Sequence, residues 1–452
     1  MNKLVVCLIV FFMAFPITSY ARIVEKKTTN DIQELIQSVG IGDEIQVPQG
    51  IYYGNLNINK KVSLIANGNV TIIGNRKGNV VTLSADGITF KGFTVKNSGR
   101  MLTHDDAGIK VRSDKNYIVQ NKIDHTLHGI YLEKANDNTL DGNKVIGIKS
   151  LRSADRGNGI HLFYSNRNHL ENNSITQSRD GMYFSFSEKN LIKGNRIFNV
   201  RYGLHYMYSN ENSFYNNRFF NNIGGAAIMY SNRIKLEKNY FYNNRGLLSF
   251  GLLLQTANDN VVKNNYMMMN QKGLFVDQSN RNLFAHNEIV HNNIGIEIWT
   301  SSIQNRFTKN QFNSNVIQYS SNGKIDRNRW SSQGIGNAWS DSILFDLDDN
   351  GVGDKPYTYS SSYGEILAQN QLGYLFLDSP SLKIYETVKQ TISKDQVQIE
   401  DPHPISLQWK KENMNVFNIL IISTLVVLLF RQFRRKIAHA ISVKRMERNV
   451  SE

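Results

Sequence analysis

The sequence predicts an all-β protein, a right-handed parallel β-helix whose coils are about 22 residues long. Gly181, Gly203 and Gly225 begin three consecutive coils at a spacing of 22 residues. Apolar and polar residues alternate after each of these glycines, as expected of short strands with one buried face. A fixed period in the low twenties indicates a solenoid, in which each coil packs on its neighbours.

A column of asparagines favours a β-helix over other solenoids. Asparagine tolerates left-handed backbone at corners, and stacked asparagines can bond along a ladder. The asparagines that recur between two apolar columns of each coil are Asn143, Asn173, Asn195, Asn217, Asn239, Asn265 and Asn287. A leucine-rich repeat has a similar period, but its L-x-x-L-x-L-x-x-N pattern is absent from this sequence.

The two chain ends predict export and membrane anchoring. Residues 1–21 combine a basic start, an apolar run and a small-x-small cleavage site, which together are typical of a signal peptide. Cys7 is the single cysteine, so the mature chain has no thiol. Residues 413–430 are apolar and precede a basic tail, 431–452. Because basic residues beside a span stay cytoplasmic, this order predicts a periplasmic body anchored to the inner membrane by a transmembrane helix; the alternative is a buried amphipathic helix.

The exported body is predicted to have three parts. Residues 22–60 form an N-terminal cap and the first strands, with a short helix that starts near Asn30 and covers the open end of the core. Residues 61–330 form the parallel β-helix. Residues 331–412 form a C-terminal cap and a linker, which include an aspartate-rich loop.

The charge of the chain gives no indication of a nucleic-acid partner. The formal net charge is +14, and part of this excess lies in the basic tail. The remainder is spread over the long exported body, without a basic helix or an aromatic-basic recognition pattern. We therefore expect no nucleic acid among the partners.

The aspartate-rich loop is a candidate for structural calcium. Asp346, Asp348 and Asn350 hold the first, third and fifth places of an EF-hand-type loop, and Asp354 holds the ninth. The twelfth place is Tyr357, so the bidentate carboxylate of that motif is missing. The alternative interpretation is an acidic turn that binds no metal.

Soft metal ligands are predicted on the outward face of the first strand in successive coils. His205 and Met207 stand on one strand, and Met229 stands one coil further along at the place of Met207. An imidazole with two thioethers and no thiolate suits Cu(I). His161, two coils before His205, is a further candidate ligand.

Aromatic residues beside these ligands suggest a different use of the same face. Tyr183 lies on the coil before His205, while Tyr208 and Tyr230 follow the two methionines. An outward face this rich in aromatic residues is unusual, because exposed faces are normally polar. The face is therefore either a copper site, a docking surface for a partner, or a surface that packs under loop insertions.

An enzymatic β-helix would need clustered carboxylates, or an acid with Lys or Arg, on one outward face. Here that face offers Glu133, Asp277 and Glu297, which lie on different coils. No paired-acid arrangement follows from the sequence, and we predict no catalytic residues and no enzyme activity. The fold alone does not argue for one.

Several segments together resemble a known family. Residues 201–210, which read RYGLHYMYSN, are similar to the signature coil of the NosD family, periplasmic copper-binding β-helix proteins of the CASH-domain type. Residues 157–162 and 179–184 resemble the two coils before it, and residues 243–254 resemble the coil after it. Residues 346–357 resemble the loop that closes the family's repeats. The resemblance covers about residues 23–405.

This resemblance implies a periplasmic protein that works with an ABC transporter, composed of an ATPase and a membrane subunit. Together they supply the copper–sulfide centre of nitrous oxide reductase during its maturation. The family is described as copper-binding, although no ligand set follows from that description. The C-terminal anchor departs from the soluble pattern of many members. The sequence thus predicts a non-enzymatic assembly factor that handles Cu(I), and the alternative is a cell-envelope carbohydrate-active β-helix.

Overall fold

The computed structural model describes residues 27–323, 326–360 and 397–407, and between the last two ranges 371–377, 379–382, 384, 385 and 388. The chain divides into two compact units between Asn260 and Val261. Each unit is a solenoid of parallel strands, so the predicted all-β coiled architecture is confirmed. The predicted domain bounds stay predictions.

The N-terminal helix covers the first strands of the first unit. It spans Thr29–Ser38 and buries Ile32 and Ile36, which are spaced to lie on one face. Its N-cap is Thr28, whose backbone N–H donates to the Asp31 carboxylate at 2.7 Å. The helix begins one residue before the predicted start near Asn30, because the acid that completes the capping box is Asp31.

Two parallel sheets run through the coils of the first unit, and we call them sheet 1 and sheet 2. In both, the inward side chains are buried, so the apolar columns of the sequence form the core. In several strands of sheet 1, such as His128–Glu133, the outward side chains are mostly buried as well. The strands of sheet 1 are Leu56–Ile58, Val81–Leu83, Ala107–Val111, His128–Glu133, Ile160–Phe163, Met182–Ser185, Tyr202–Met207, Gly224–Met229 and Phe250–Gln255. Those of sheet 2 are Glu44–Tyr53, Ser63–Ile73, Thr89–Lys91, Thr94–Lys96, Tyr117–Val119, Lys122–Asp124, Thr139–Asp141, Lys144–Ile146, His169–Glu171, Ser174–Thr176, Leu191–Lys193, Arg196–Phe198, Ser213–Tyr215, Arg218–Phe220, Lys235–Glu237 and Tyr240–Tyr242.

The predicted asparagine ladder lies at the turns of sheet 2. The side-chain oxygen of Asn195 accepts the backbone and side-chain N–H groups of Asn173, at 2.9 and 3.0 Å. Asn195 in turn donates both groups to Asn217, at 3.0 and 2.9 Å. All three side chains are fully buried, and the same pairing repeats from coil to coil. The ladder therefore satisfies backbone and side-chain polar groups that burial would otherwise leave without partners.

The second unit repeats this plan and then ends in a cap. Its parallel strands are Val261–Lys263, Tyr266–Met268, Lys272–Asp277, Leu283–Ala285, Glu288–Val290, Ile294–Ile298, Arg306–Thr308, Gln311–Asn313, Ile317–Ser321 and Ala338–Trp339. An antiparallel pair, Tyr357–Tyr359 with Ile399–Asp401, closes the unit. The pair brings Asp401 to the last asparagine of this unit's ladder, Asn337, whose backbone and side-chain N–H groups both donate to the carboxylate.

Short helical turns interrupt the coils. Leu102–His104 and Ser153–Asp155 are 3-10 turns within insertions of the first unit, and Gln371–Phe376 is a third in the C-terminal region. None of the helices in the described residues is both long and apolar enough to cross a bilayer. The predicted signal peptide, 1–21, anchor, 413–430, and tail, 431–452, lie outside the described residues.

Candidate functional site

Five neighbouring strands of sheet 1 carry the candidate ligands. These strands are His128–Glu133, Ile160–Phe163, Met182–Ser185, Tyr202–Met207 and Gly224–Met229. We call their outward side, with the corner residue that follows each strand, the site face. His205 and Met207 alternate with the fully buried Leu204 and Tyr206, so both point outward and are half-buried.

The parallel register decides which candidate ligands are neighbours. Met207 pairs directly with Met229 across adjacent strands, and adjacent strands lie about 4.8 Å apart. His161 pairs with Tyr183, which pairs with His205. The structure therefore places His205 and both methionines at outward positions of two adjacent strands, while the Tyr183 ring separates His161 from His205.

The imidazole of His205 is held on one side by a buried ion pair. Its Nδ1 lies 2.9 Å from Oδ2 of Asp180. Arg201 donates to both carboxylate oxygens, at 2.8 and 2.6 Å, and its guanidinium lies over the Tyr202 ring. Asp180 is only 2% exposed. Burial alone would raise the pKa of Asp180, but hydrogen bonds from His205 and Arg201 outweigh it and keep the pKa below its usual value.

The thioether of Met207 is also oriented by a neighbour. The Tyr183 hydroxyl donates to its Sδ at 3.8 Å, and the Tyr183 ring packs edge-on against His205 with centroids 4.8 Å apart. The pair Met207 and Met229 supplies two uncharged sulfur donors beside one imidazole. Such a set fits Cu(I), which prefers soft ligands, and the only cysteine of the chain lies in the predicted signal peptide.

His161 occupies a drier place on the same face. Its ring lies between those of Tyr131 and Tyr183, at centroid distances of 4.3 and 4.6 Å. Its Nε2 is buried and has no hydrogen-bond partner among the described residues. Burial lowers the pKa of His161 well below the ordinary value, so the ring is neutral. The prediction of His161 as a copper ligand stays a prediction.

A second buried histidine, which sequence reasoning missed, lies beside His161. Nδ1 of His128 accepts the backbone N–H of Asn158 at 3.0 Å. Its Nε2 has no hydrogen-bond partner among the described residues, and Oδ1 of Asp105 lies 3.8 Å from it. Burial and then the charge of Lys110 lower the pKa of His128 to about 3. Lys110 is itself buried, with its ammonium 3.6 Å from the Tyr131 ring centroid and 3.4 Å from Glu133.

An exposed ladder of aromatic rings borders the site face at its corners. The rings of Tyr164, Phe186, Tyr208 and Tyr230 stack in order, with centroids 4.8, 5.2 and 5.1 Å apart. Each residue is 40–46% exposed although its rings are stacked. All four have left-handed backbone, which bulky residues seldom adopt. This aromatic ladder has the composition expected of a docking surface, and the docking prediction for Tyr183, Tyr208 and Tyr230 stays a prediction.

Comparison with known proteins decides the family. Residues 145–342 match a family model described as periplasmic copper-binding protein (NosD). A probable ABC transporter binding protein NosD from Pseudomonas aeruginosa is 37% identical over 372 residues, 79% of this chain and 86% of that protein. A protein of the same description from Stutzerimonas stutzeri is 32% identical over 380 residues, with 80% and 86% covered. The chain belongs to the NosD family.

Solved structures agree with the fold of this NosD-family chain. PfbA, a surface adhesin of Streptococcus pneumoniae, aligns with a TM-score of 0.50 and 13% sequence identity. The alignment covers 67% of this chain and 87% of the adhesin. At this identity the likeness concerns the fold alone.

Two of the outward acids of the NosD-family chain, Glu133 and Glu297, are engaged in ion pairs. Glu133 binds Arg112 at 2.8 Å as well as Lys110. Glu297 binds Lys272 at 2.9 Å, and both of these side chains are buried.

The aspartate-rich loop folds as a compact turn. Carboxylate oxygens of Asp346, Asp348 and Asp354 lie within 4.8 Å of one another. Asp346 accepts the N–H groups of Asn350 and Gly351, at 3.1 and 2.7 Å. The side-chain oxygen of Asn350 accepts the N–H of Val352, as in an acidic turn without metal. The calcium prediction for Asp346, Asp348, Asn350 and Asp354 stays a prediction.

Proposed function

We propose that this chain is a non-enzymatic accessory protein for maturation of the copper–sulfide centre of nitrous oxide reductase. In this proposal it works in the periplasm and holds Cu(I) at His205, Met207 and Met229. The observation that carries the proposal is the register of the two strands. One imidazole and one thioether project from the same strand, and a second thioether stands directly beside the first.

The chemistry of these donors suits a carrier. An imidazole and two thioethers bring no negative charge, so they would bind Cu(I) without offsetting its charge, and the half-buried site is open to a partner. A carrier must release its ion, and two thioethers with one imidazole favour Cu(I) without the strong affinity of thiolates. Tyr183 then holds Met207 in position through its O–H···S contact.

The partners follow from the family. The relatives are named as ABC transporter binding proteins. We extend this to the ATPase and membrane subunits of such a transporter, with nitrous oxide reductase as the recipient. In this proposal the predicted helix 413–430 keeps the protein on the inner membrane, next to the transporter. The aromatic ladder beside the two methionines is the proposed contact surface.

The double substitution Met207→Leu with Met229→Leu tests the copper site. Leucine preserves volume and apolarity, so the melting curve is expected to stay unchanged. Changes that only touch a ligand's supporting group already weaken metal binding by about 10–100-fold, so loss of two direct donors should weaken Cu(I) binding by more than ~100-fold. Competition titration with Cu(I) measures the change.

The matched control is Met268→Leu with Met269→Leu, which removes two adjacent methionines of the second unit. Equal Cu(I) affinity in the two double variants would place the ligands elsewhere. If the wild-type protein binds no Cu(I), the site face is better explained as a docking surface, and the Met207 and Met229 change should weaken the transporter complex. Cleavage or epimerisation of a uronan would instead favour the carbohydrate-active alternative.

A further inference from the structure

The environment of His205 determines which of its nitrogens carries the proton. Arg201 donates to both oxygens of Asp180, and a guanidinium can only donate. Asp180 also accepts the backbone N–H of Tyr202 at 3.3 Å. With three donors around it and a cation paired to it, Asp180 is an ionised acceptor.

An ionised acceptor requires a donor at Nδ1 of His205. The Nδ1 to Oδ2 distance of 2.9 Å is that of a hydrogen bond, so Nδ1 carries the hydrogen. Arg201 Nη2 also lies 3.3 Å from Nδ1, but both atoms are donors, and both donate to the Asp180 carboxylate. In a neutral imidazole with hydrogen on Nδ1, the lone pair is at Nε2.

His128 shows the opposite arrangement on the same face. Its Nδ1 accepts the backbone N–H of Asn158, and a peptide nitrogen can act only as a donor. The hydrogen of the neutral His128 ring is therefore on Nε2. A protonated Nε2 has no lone pair for a metal. This nitrogen is buried without a hydrogen-bond partner among the described residues, and Oδ1 of Asp105 lies 3.8 Å from it.

We infer that the Asp180–Arg201 pair is a positioning element that fixes His205 with its hydrogen on Nδ1 and presents Nε2 beside Met207 and Met229. The inference rests on the proposed function, because it assigns the copper-facing nitrogen of that site. The pair orients the ring as carboxylates orient metal-bound histidines in other proteins. The backbone of Asn158 excludes His128 from the same role.

Nitrogen NMR of histidine-labelled protein tests the inference without copper. In the full-length chain, the His205 ring is expected to show hydrogen on Nδ1, and the His128 ring is expected to show it on Nε2. Assignment uses His205→Gln and His128→Asn variants, each of which removes one set of signals. Hydrogen on Nε2 of His205 in the copper-free protein would overturn the inference, whatever the protein binds.

Substitution of the carboxylate provides the second test. Asp180→Ala should release the ring and weaken Cu(I) binding by about 10–100-fold, the usual effect of losing such a partner. Asp180→Asn keeps an acceptor oxygen and the side-chain shape, so it should restore part of the affinity and hydrogen on Nδ1. If the alanine variant fails to fold, the Asp180→Asn variant still tests the role of the carboxylate.

The matched control is Asp137→Ala, which breaks a similar corner pair, since Arg167 donates to both Asp137 oxygens at 2.8 Å. That variant should keep wild-type Cu(I) affinity. Wild-type affinity and an unchanged His205 ring in both Asp180 variants would overturn the inference. Absence of Cu(I) binding in the wild-type protein would overturn the proposed function, and the NMR result would still decide the role of Asp180.

Discussion

The asparagine ladder and the site face are both polar stacks that repeat with every coil, yet they use their polar groups differently. Asn173, Asn195 and Asn217 are identical, buried and fully paired with one another. On the site face the residue changes at each step, from Tyr131 through His161, Tyr183 and His205 to Ala227. Its two buried histidines each keep one nitrogen without a hydrogen-bond partner among the described residues.

This difference in hydrogen bonding distinguishes residues that stabilise the fold from residues that have a function. A ladder of identical side chains stabilises the folded state at every coil, because each buried donor is hydrogen-bonded to an acceptor. Buried nitrogens without hydrogen-bond partners destabilise the folded state, since each costs about 1–3 kcal/mol of desolvation. The site face is less stable for this reason, and it carries soft ligands beside exposed aromatic rings. We therefore expect partner proteins and copper to bind there.

Removing one rung of the ladder should have the largest effect on stability. Asn195→Ala leaves two N–H groups of Asn173 and the carbonyl of Leu170 without their partner. At about 1–3 kcal/mol for each buried group, the free energy of unfolding should fall by at least ~3 kcal/mol. Chemical denaturation measures the loss. The control is exposed Asn199→Gly, which removes an asparagine from a left-handed corner that glycine tolerates; equal losses would contradict the comparison.

The site face should make unfolding depend on pH. Because His128 has a pKa of about 3 when folded and about 6.5 when unfolded, the unfolded chain binds more protons between these values. The free energy of unfolding should thus fall as pH drops below about 6.5, by up to ~1.4 kcal/mol per pH unit for this residue. The lowered pKa of His161 adds to the same trend.

Denaturation series at several pH values test this expectation. His128→Asn keeps an acceptor for the Asn158 amide and should reduce the slope by up to ~1.4 kcal/mol per pH unit. His169→Asn, at an exposed position of sheet 2, is the control variant. The same slope in both variants would show that His128 titrates normally, and that the site face is not as dry as the structure indicates.

The smallest effect on stability is expected at the aromatic ladder. Tyr208→Asn removes a ring stacked between Phe186 and Tyr230 but suits the left-handed backbone. Because Tyr208 is largely exposed, the loss should be below about 1.5 kcal/mol per ring contact. Binding to the transporter subunits should nevertheless weaken at least tenfold, which pull-down titration would measure. A large drop in melting temperature with unchanged binding would assign the ladder to the fold instead.

Much of the fold could be predicted because each coil repeats the same local rule. The glycine period, the alternating apolar columns and the asparagine column all describe neighbours one coil apart, and the structure pairs them in that register. The soft-ligand cluster of His205, Met207 and Met229 followed from the same alignment. Those residues occupy equivalent strand positions, whose direction the repeat already determines.

The supporting residues could not be predicted in the same way. Asp180 reaches His205 from a corner of the preceding coil, and corner side chains have no fixed direction in the repeat. The signals visible in the sequence were an acid just before a leading glycine and an arginine one coil later. His128 and Lys110 were missed because their surroundings include Asp105, which follows the 3-10 turn Leu102–His104 in an insertion outside the repeat. Tyr131 donates to Asp105 at 3.1 Å, and Nε2 of His128 lies 3.8 Å from it.

The last rung of the second unit's ladder determines how the stack ends. Every asparagine of the ladder both donates and accepts hydrogen bonds. The last asparagine of such a ladder therefore still has N–H groups that could donate to one more coil. Asp401, brought from 64 residues beyond Asn337, accepts hydrogen bonds from Asn337, Trp339 and His403 and passes none on to a further coil. Asp401 therefore ends the ladder. It occupies the N–H groups to which a strand of a second molecule could otherwise pair, as strands do in a fibril.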